Sequence, residues 1–160
     1  MNRKHYPLLL LILAACISIA AGVSAARNEQ SGSEGRALAN AYLTAMEAGD
    51  FDKLDALFLP DGRSNILENA SDEGSWEHYR DHHLKPEMET ALNFKFNVSK
   101  ETEERFGDAI LVQQVGTFSV DVADETRHYR VAVSYVIVKD GSKLLIAHLH
   151  WSSRRSPKKE

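Results

Sequence analysis

Residues 127–152 read RHYRVAVSYVIVKDGSKLLIAHLHWS, and this stretch decides the fold class. Two runs rich in Val, Ile, Leu and Tyr flank Lys139-Asp140-Gly141-Ser142, and residues of these types favour strands. An Asp-Gly pair between two such runs is typical of a tight hairpin turn. The stretch therefore predicts two long antiparallel strands, over residues 127–139 and 143–152.

Two further strands precede this hairpin. Residues 109–122 form another long run rich in β-branched and apolar residues, and Ala123-Asp124-Glu125 supplies a turn before the next strand. Upstream of that run, Phe94, Phe96 and Val98 alternate with polar residues, which indicates a strand with one buried face. The C-terminal half of the chain thus predicts a meander of four antiparallel strands.

The N-terminal half has helical spacing instead. Apolar residues recur at intervals of three and four from Arg36 to a stop at Gly49, at Leu38, Ala41, Tyr42, Ala45 and Met46. Asp50 can cap a second short helix, and Ser75 can cap a third that begins at Trp76 and kinks or restarts at Pro86. Residues 65–68 predict a weak strand and residues 71–75 a loop. Helices set apart from one antiparallel sheet make an α+β fold.

Two segments resemble a known superfamily. Residues 45–58 (AMEAGDFDKLDALF) resemble the opening of nuclear transport factor 2-like proteins, including SnoaL-like and ketosteroid isomerase-like members. Residues 139–152 resemble the last hairpin of the association domain of calcium/calmodulin-dependent kinase II. For residues 36–153 the resemblance implies a cone-shaped, curved antiparallel sheet packed on three N-terminal helices. It also implies a cavity open at one end and a homodimer formed through the sheet.

The resemblance and the alternation of side chains along each strand predict a ligand pocket. By the resemblance, Trp151 is expected to face the cavity, and its expected neighbours there are Gln113, Val115 and Ser134. The third helix is expected to present one face to the same cavity. The predicted ligand-binding set is Trp76, Tyr79, His83, Gln113, Ser134 and Trp151. Arginines that could hold a carboxylate are absent from the positions where the resemblance expects them, which favours an apolar or aromatic ligand.

Several residues are candidates for chemistry. His83 can act as a general base with Tyr79 as its partner, and Glu87 or Asp81 is an alternative carboxylate for proton transfer. His148 and His150 could ligate zinc with His82 or His83, because two histidines two apart on a strand can converge on a metal. Strand alternation instead turns His148 and His150 toward a partner subunit, although a slip of one residue would reverse this. We therefore predict no metal and no cofactor.

The chain begins with the features of an export signal. Arg3 and Lys4 precede an apolar run over residues 8–21, and small residues favour cleavage after Ala25, so that residues 1–25 form a signal peptide. The alternative is a lipobox, Leu13-Ala14-Ala15-Cys16, which would anchor a lipoprotein to the membrane at Cys16. The mass of the mature N-terminus distinguishes the two. Either route predicts an exported protein, periplasmic or secreted, with a linker over residues 26–35 and a basic tail over residues 154–160.

The charge of the chain excludes one class of partner. The whole chain carries a net charge of −4, and cleavage would make it −6 because it removes Arg3 and Lys4 but no acidic residue. Such a surface is unsuited to nucleic acid. Three functions stay open: a dimeric domain that binds a small apolar molecule, an isomerase, cyclase or dehydratase that works by proton transfer, and a purely structural dimerisation module.

Overall fold

The computed structural model describes residues 33–157 of the chain. The predicted signal peptide, Cys16, most of the linker and the end of the basic tail lie outside the described residues. The described residues from Gly35 onward belong to one compact unit. No helix among the described residues has the length and apolar character that crossing a membrane requires.

Two helices begin the domain, as the apolar spacing predicts. Helix α1 spans Glu34–Ala48 and helix α2 spans Phe51–Asp55. The Asp50 side chain caps α2 by accepting a hydrogen bond from the Lys53 amide at 3.0 Å. The buried stripe of α1 is slightly rotated from the predicted one, because Ala41 is exposed. Its apolar members are Ala39, Tyr42, Leu43, Ala45 and Met46.

The third helical segment changes its winding along its length. Helix α3 spans Trp76–Tyr79, a π-helical turn follows over Arg80–Leu84, and helix α4 spans Lys85–Met88. The Ser75 hydroxyl caps α3, as predicted. The wide turn ends just before Pro86, whose ring and missing N–H are incompatible with a regular α-helical turn. The sequence predicted a kink or restart here, and the structure has a π turn.

Six strands form one curved sheet in the order β2-β1-β6-β5-β4-β3. The last four strands make the predicted antiparallel meander, whereas β1 runs parallel to β6, so the sheet is mixed. The α+β fold is confirmed. The strands are β1 Asn65–Glu68, β2 Ser71–Gly74, β3 Ala91–Phe106, β4 Ala109–Val122, β5 Glu125–Asp140 and β6 Lys143–Arg155.

The prediction of a loop over residues 71–75 is wrong for residues 71–74. Ser71–Gly74 pairs antiparallel with β1 as strand β2, at the edge of the sheet. Asn69, with a φ of 54°, provides the tight turn between the two strands. The sequence SDEG has no apolar alternation, so its strand arises from backbone pairing alone. At the other end of the domain, β6 includes Arg154 and Arg155, two residues of the predicted basic tail.

A β-bulge at Ala147 alters the facing of side chains along β6. Ile137 of β5 pairs with Ile146, but the preceding residue Val136 pairs with His148, so Ala147 has no direct partner. An extra residue in one strand reverses the alternation of that strand. Consequently Ile146 and Leu149 are both buried although they lie three residues apart.

A buried amide joins α1 to the inner face of the sheet. Gln114 is 2% exposed, and its Nε2 donates to Asn40 Oδ1 at 2.9 Å and to Glu101 Oε1 at 2.7 Å. Its Oε1 accepts a hydrogen bond from the Tyr135 hydroxyl at 3.0 Å. These bonds connect α1 with β3, β4 and β5. The core lies on the same face and includes Leu54, Phe58, Ile110, Val112, Ile137, Ile146 and Leu149.

Gly116 is a point of close approach between β4 and β3. A Cβ atom at this position would overlap the carbonyl oxygen of Asn97, which precedes a second bulge in β3. We expect Gly116→Ala to lower the free energy of unfolding by about 1–3 kcal/mol, because the backbone must shift to relieve the overlap. Urea denaturation measures the change. Thr117→Val is the matched control at the exposed neighbouring position, and an equal loss in both variants would contradict the explanation.

Candidate functional site

One cavity opens between the helices and the inner face of the sheet. Its volume is about 380 Å³, which is sufficient for a small organic molecule. Residues from α1, β1, α3, α4 and all four meander strands line it. Six of the lining residues are aromatic: Tyr42, Tyr79, Phe94, Phe118, Tyr129 and Trp151.

The sheet supplies a continuous aromatic wall. Phe118 is at its centre, stacked on Tyr129 with ring centroids 4.6 Å apart. The ring centroid of Trp151 lies 5.5 Å from that of Phe118, and the ring centroid of Phe94 lies 6.3 Å from that of Phe118. Three of these four rings are more than nine-tenths buried. The wall is therefore preformed and requires no movement to present its rings.

The opposite side of the cavity is polar. Glu68 at the end of β1 accepts a hydrogen bond from the Tyr79 hydroxyl at 2.8 Å. His83 places Nε2 3.6 Å from Glu68 Oε2 and 3.9 Å from Glu87 Oε2. Its other ring nitrogen, Nδ1, lies 3.2 Å from Glu73 Oε2. One imidazole thus contacts three carboxylates, two of which, Glu68 and Glu87, line the cavity.

Tyr42 adds a hydroxyl that has no hydrogen-bond partner among the described residues. The residue is 1% exposed, and its ring packs edge-on against Phe58 and Tyr135. Burial raises the pKa of Tyr42, and the Glu68 and Glu87 carboxylates raise it further. The hydroxyl therefore stays protonated beside these two acids. Burial likewise raises the pKa of Tyr79.

The pKa of Glu87 is also raised. Burial at the cavity wall is the largest cause, and repulsion from Glu68 adds to it, whereas His83 acts in the opposite direction. By surface area 51% of the Glu87 side chain is exposed, so solvent weakens these effects. A raised carboxyl pKa in a cavity is the property that suits a side chain for proton transfer.

Two of the predicted pocket residues line the cavity, and two lie behind it. Tyr79 and Trp151 are on its wall. His83 contacts two wall residues without lining the cavity itself. Trp76 belongs to the core, stacked on Phe58 with centroids 4.3 Å apart and donating from Nε1 to Asp55 at 2.7 Å.

The predicted facing of Gln113 and Ser134 is wrong. Both lie on the outer face of the sheet, where Gln113 pairs with Ser134 and Ser134 with His150. Residues directly opposite one another in a sheet share a face, and the inner neighbour of Trp151 is Val133. The alternation predicted within β4 and β5 was correct, but β6 was placed one residue out of register with β5, and the bulge at Ala147 breaks the alternation expected along β6. Val115, also expected inside, is 47% exposed.

The remaining chemical candidates lie away from the cavity. His148 is within hydrogen-bonding distance of Asn65 at 3.1 Å, and His150 of the Asn69 carbonyl at 3.3 Å, on the outer face. No group of three His, Cys, Asp or Glu within residues 33–157 is arranged to hold a metal ion. Asp81 pairs with Arg80 and Lys85, and these partners lower its pKa.

Three cavity residues were not predicted from the sequence. Tyr42 is on the apolar stripe of α1, a position typical of core residues, so nothing in the sequence marks its hydroxyl as part of a cavity wall. Glu68 ends a strand of only four residues, and no motif singles it out. Arg127 was placed at the start of a strand with no assignment of its facing; it lines the cavity and lies 3.5 Å from Glu125.

The sequence of the domain matches a known family over nearly its whole length. Residues 36–155 match the family model of the SnoaL-like domain. The chain belongs to the SnoaL-like domain family. This agrees with the resemblance of residues 45–58 noted from the sequence. Comparison with curated protein sequences gives no match.

Solved structures similar to this SnoaL-like domain share its fold at low sequence identity. A nuclear transport factor 2-like superfamily protein from Salmonella enterica serovar Typhimurium has a TM-score of 0.72 at 17% identity, covering 82% of this chain and 96% of its own. A ketosteroid isomerase-like protein from Erwinia carotovora atroseptica has a TM-score of 0.66 at 14% identity, and the match covers 79% of this chain and 97% of that protein. The CaMKII hub from S. rosetta has a TM-score of 0.60 at 16% identity, and the match covers 77% of this chain and 96% of the hub chain. These likenesses establish the nuclear transport factor 2-like fold.

The raised pKa of Glu87 makes stability depend on pH. Because the folded state holds this proton more tightly than the unfolded chain, the contribution of Glu87 to stability falls as the pH rises above its ordinary pKa of 4.5. Glu87→Gln removes that loss. We expect the Tm of Glu87→Gln, relative to wild type, to increase by roughly 1–3 °C between pH 4 and pH 8. Thermal denaturation of Glu89→Gln, at an exposed position outside the cavity, controls for the loss of one surface carboxylate. A relative Tm that decreases over this range would contradict the assignment.

Proposed function

We propose that this chain binds a small apolar or aromatic molecule in the cavity. The observation that carries the proposal is the composition of the cavity wall. Four packed aromatic rings and a cluster of polar groups line a cavity of about 380 Å³. Aromatic walls bind apolar ligand surface, and a few polar groups at one side orient the ligand. The structural similarity to a ketosteroid isomerase-like protein supports a small-molecule site in this fold.

A second candidate is an enzyme of the isomerase, cyclase or dehydratase type that works by proton transfer. The cluster of Glu68, His83 and Glu87 favours it. When neutral His83 donates from Nδ1 to Glu73, its Nε2 carries a lone pair that faces both cavity carboxylates. Glu87 can then remove a proton from a ligand, with His83 as the group that shares the proton. Both functions use the same cavity.

The binding proposal is tested by a screen of hydrophobic ketones, enones and lactones. We expect ligands to raise the Tm of the wild-type protein, and Val122→Trp to weaken their binding at least tenfold because Val122 lines the cavity and the larger ring fills it. Leu92→Trp is the matched control, since Leu92 lies beside Val122's strand partner Ala91 but is 56% exposed and outside the cavity. Equal affinity in wild type and Val122→Trp would place the ligand elsewhere.

The same compounds distinguish the binder from the enzyme. Conversion of any of them by wild type, with a loss of about 100-fold or more in His83→Ala or Glu87→Gln, would establish proton-transfer catalysis. Tm increases without turnover would establish binding alone. If the protein neither binds nor converts any of these compounds, a purely structural dimerisation module is the function that remains.

We also propose that the chain forms a homodimer through the outer face of the sheet. Val115, Ala132 and Ser152 form one cross-strand row on this face. All three are exposed, and their small side chains permit a second sheet to pack closely. The similarity to the CaMKII hub supports association of this fold with copies of itself.

The dimer is tested by sedimentation velocity. We expect Val115→Arg to weaken the dimer at least tenfold, because it places a charge and a large side chain in a row of small residues that must pack closely. Leu92→Arg, at an exposed residue near the start of edge strand β3 and outside this row, is the control and is expected to sediment as wild type does. A wild-type protein that is monomeric at about 100 μM, weaker than the usual affinities of stable dimers, would contradict the proposal. Export, by cleavage after Ala25 or lipidation at Cys16, stays a proposal from the sequence of residues 1–25.

A further inference from the structure

The polar side of the cavity carries negative charge that no lysine or arginine neutralises. Within residues 33–157, the ion-pair partner of both Glu68 and Glu87 is His83 alone. Arg127 also lines the cavity; its Nε pairs with the Glu125 carboxylate at 3.5 Å but is buried without a hydrogen-bond partner among the described residues. Burial is the main cause of the raised pKa of Glu87, and repulsion from Glu68 adds to it. A cation that enters the cavity would therefore meet two carboxylates that share a single imidazole as their ion-pair partner.

Two oxygen atoms on the cavity wall, the Tyr42 hydroxyl and Glu68 Oε1, have no hydrogen-bond partner among the described residues. The Tyr42 residue is 1% exposed, and its hydroxyl forms no hydrogen bond within the described part of the chain. The Glu68 side chain is 15% exposed; Tyr79 and His83 both approach its Oε2, and its Oε1 accepts no hydrogen bond from a described residue. Tyr42 lines the cavity, so a ligand can supply the missing partner.

The rest of the wall suits the body of the same ligand. Phe94, Phe118, Tyr129 and Trp151 provide apolar surface, and their rings are electron-rich on their faces. Aromatic faces attract cations most strongly where water is excluded. The cavity thus combines carboxylate oxygens, an unpartnered hydroxyl oxygen and aromatic rings.

We propose that the cavity selects a small primary amine whose ammonium group binds Glu68, Glu87 and the Tyr42 hydroxyl oxygen, with an aromatic or apolar body against Phe118 and Trp151. This inference rests on the proposed binding function and names its ligand class. An ammonium group has three N–H donors and no acceptor, which matches three oxygen acceptors. A carboxylate ligand would instead be repelled by Glu68 and Glu87.

Three probes that carry a phenyl ring on a two-carbon chain test the charge preference. Calorimetric titration at pH 7 compares 2-phenylethylamine, which is cationic, with 2-phenylethanol, which is neutral, and 3-phenylpropanoate, which is anionic. We expect the amine to bind at least about tenfold more tightly than the alcohol, since charge-assisted hydrogen bonds contribute more than neutral ones. The anion is expected to bind most weakly.

Variants then locate the ammonium group. Glu68→Gln and Glu87→Gln are each expected to weaken amine binding about tenfold while changing alcohol binding by less than about twofold. Tyr42→Phe is expected to weaken amine binding by a smaller factor. Glu89→Gln, which removes an exposed carboxylate outside the cavity, is the control and is expected to change neither. Glu87 is half exposed, so its variant tests the proposal even if Glu68→Gln does not fold.

The outcomes separate this inference from the function on which it rests. Alcohol binding equal to or tighter than amine binding would overturn the amine preference and leave the small-molecule function intact. Tightest binding of 3-phenylpropanoate would overturn it in favour of recognition by Arg127. Amine binding that is unchanged in both glutamate variants would overturn the assigned site. If none of the three probes and no compound of the neutral screen binds, the proposed function itself fails.

Discussion

The buried amide of Gln114 is the contact on which the rest of the domain depends. Adjacent glutamines occupy positions 113 and 114, and only one of them can face the helices because neighbouring side chains in a strand alternate. Gln114 faces inward because Asn40, Glu101 and Tyr135 satisfy its amide there. A buried amide without these partners would be costly. The inward position of Gln114 fixes which side chains of β4 face α1. The hydrogen-bonded register between the strands then fixes which side chains of β5 and β6 face the same way.

The cavity is a consequence of that register. With Gln114 inside, Phe118 is inside as well, and the pairing of β5 with β6 places Trp151 on the same surface. The bulge at Ala147 is needed for this, because it allows Ile146 to pack in the core while Trp151 still faces the cavity. The helical segments contribute Tyr42, Tyr79 and Glu87 together with the apolar Met46 and Leu84, and strand β1 adds Glu68. The space between the helices and the sheet therefore stays open and chemically two-sided.

Local features of the sequence were predicted well because short-range chemistry decides them. The caps at Asp50 and Ser75 and the Asp140-Gly141 turn follow from side-chain hydrogen bonding and glycine geometry within a few residues. The family likewise followed from two segments of contiguous sequence. Strand β2 was missed because its four residues have no apolar pattern, and backbone pairing with β1 alone makes it a strand.

By itself, the sequence determined the helical segments, the four meander strands, the α+β class, the family and the alternation of side chains within β4 and β5. These depend on neighbours along the chain. Tertiary structure alone decided which of two alternating sets faces inward, and hence that Tyr42, Glu68 and Trp151 share a cavity while Gln113 and Ser134 do not. The physical reason is that register between strands depends on a bulge and on buried hydrogen bonds between distant segments. A shift of one residue exchanges every inner side chain for an outer one.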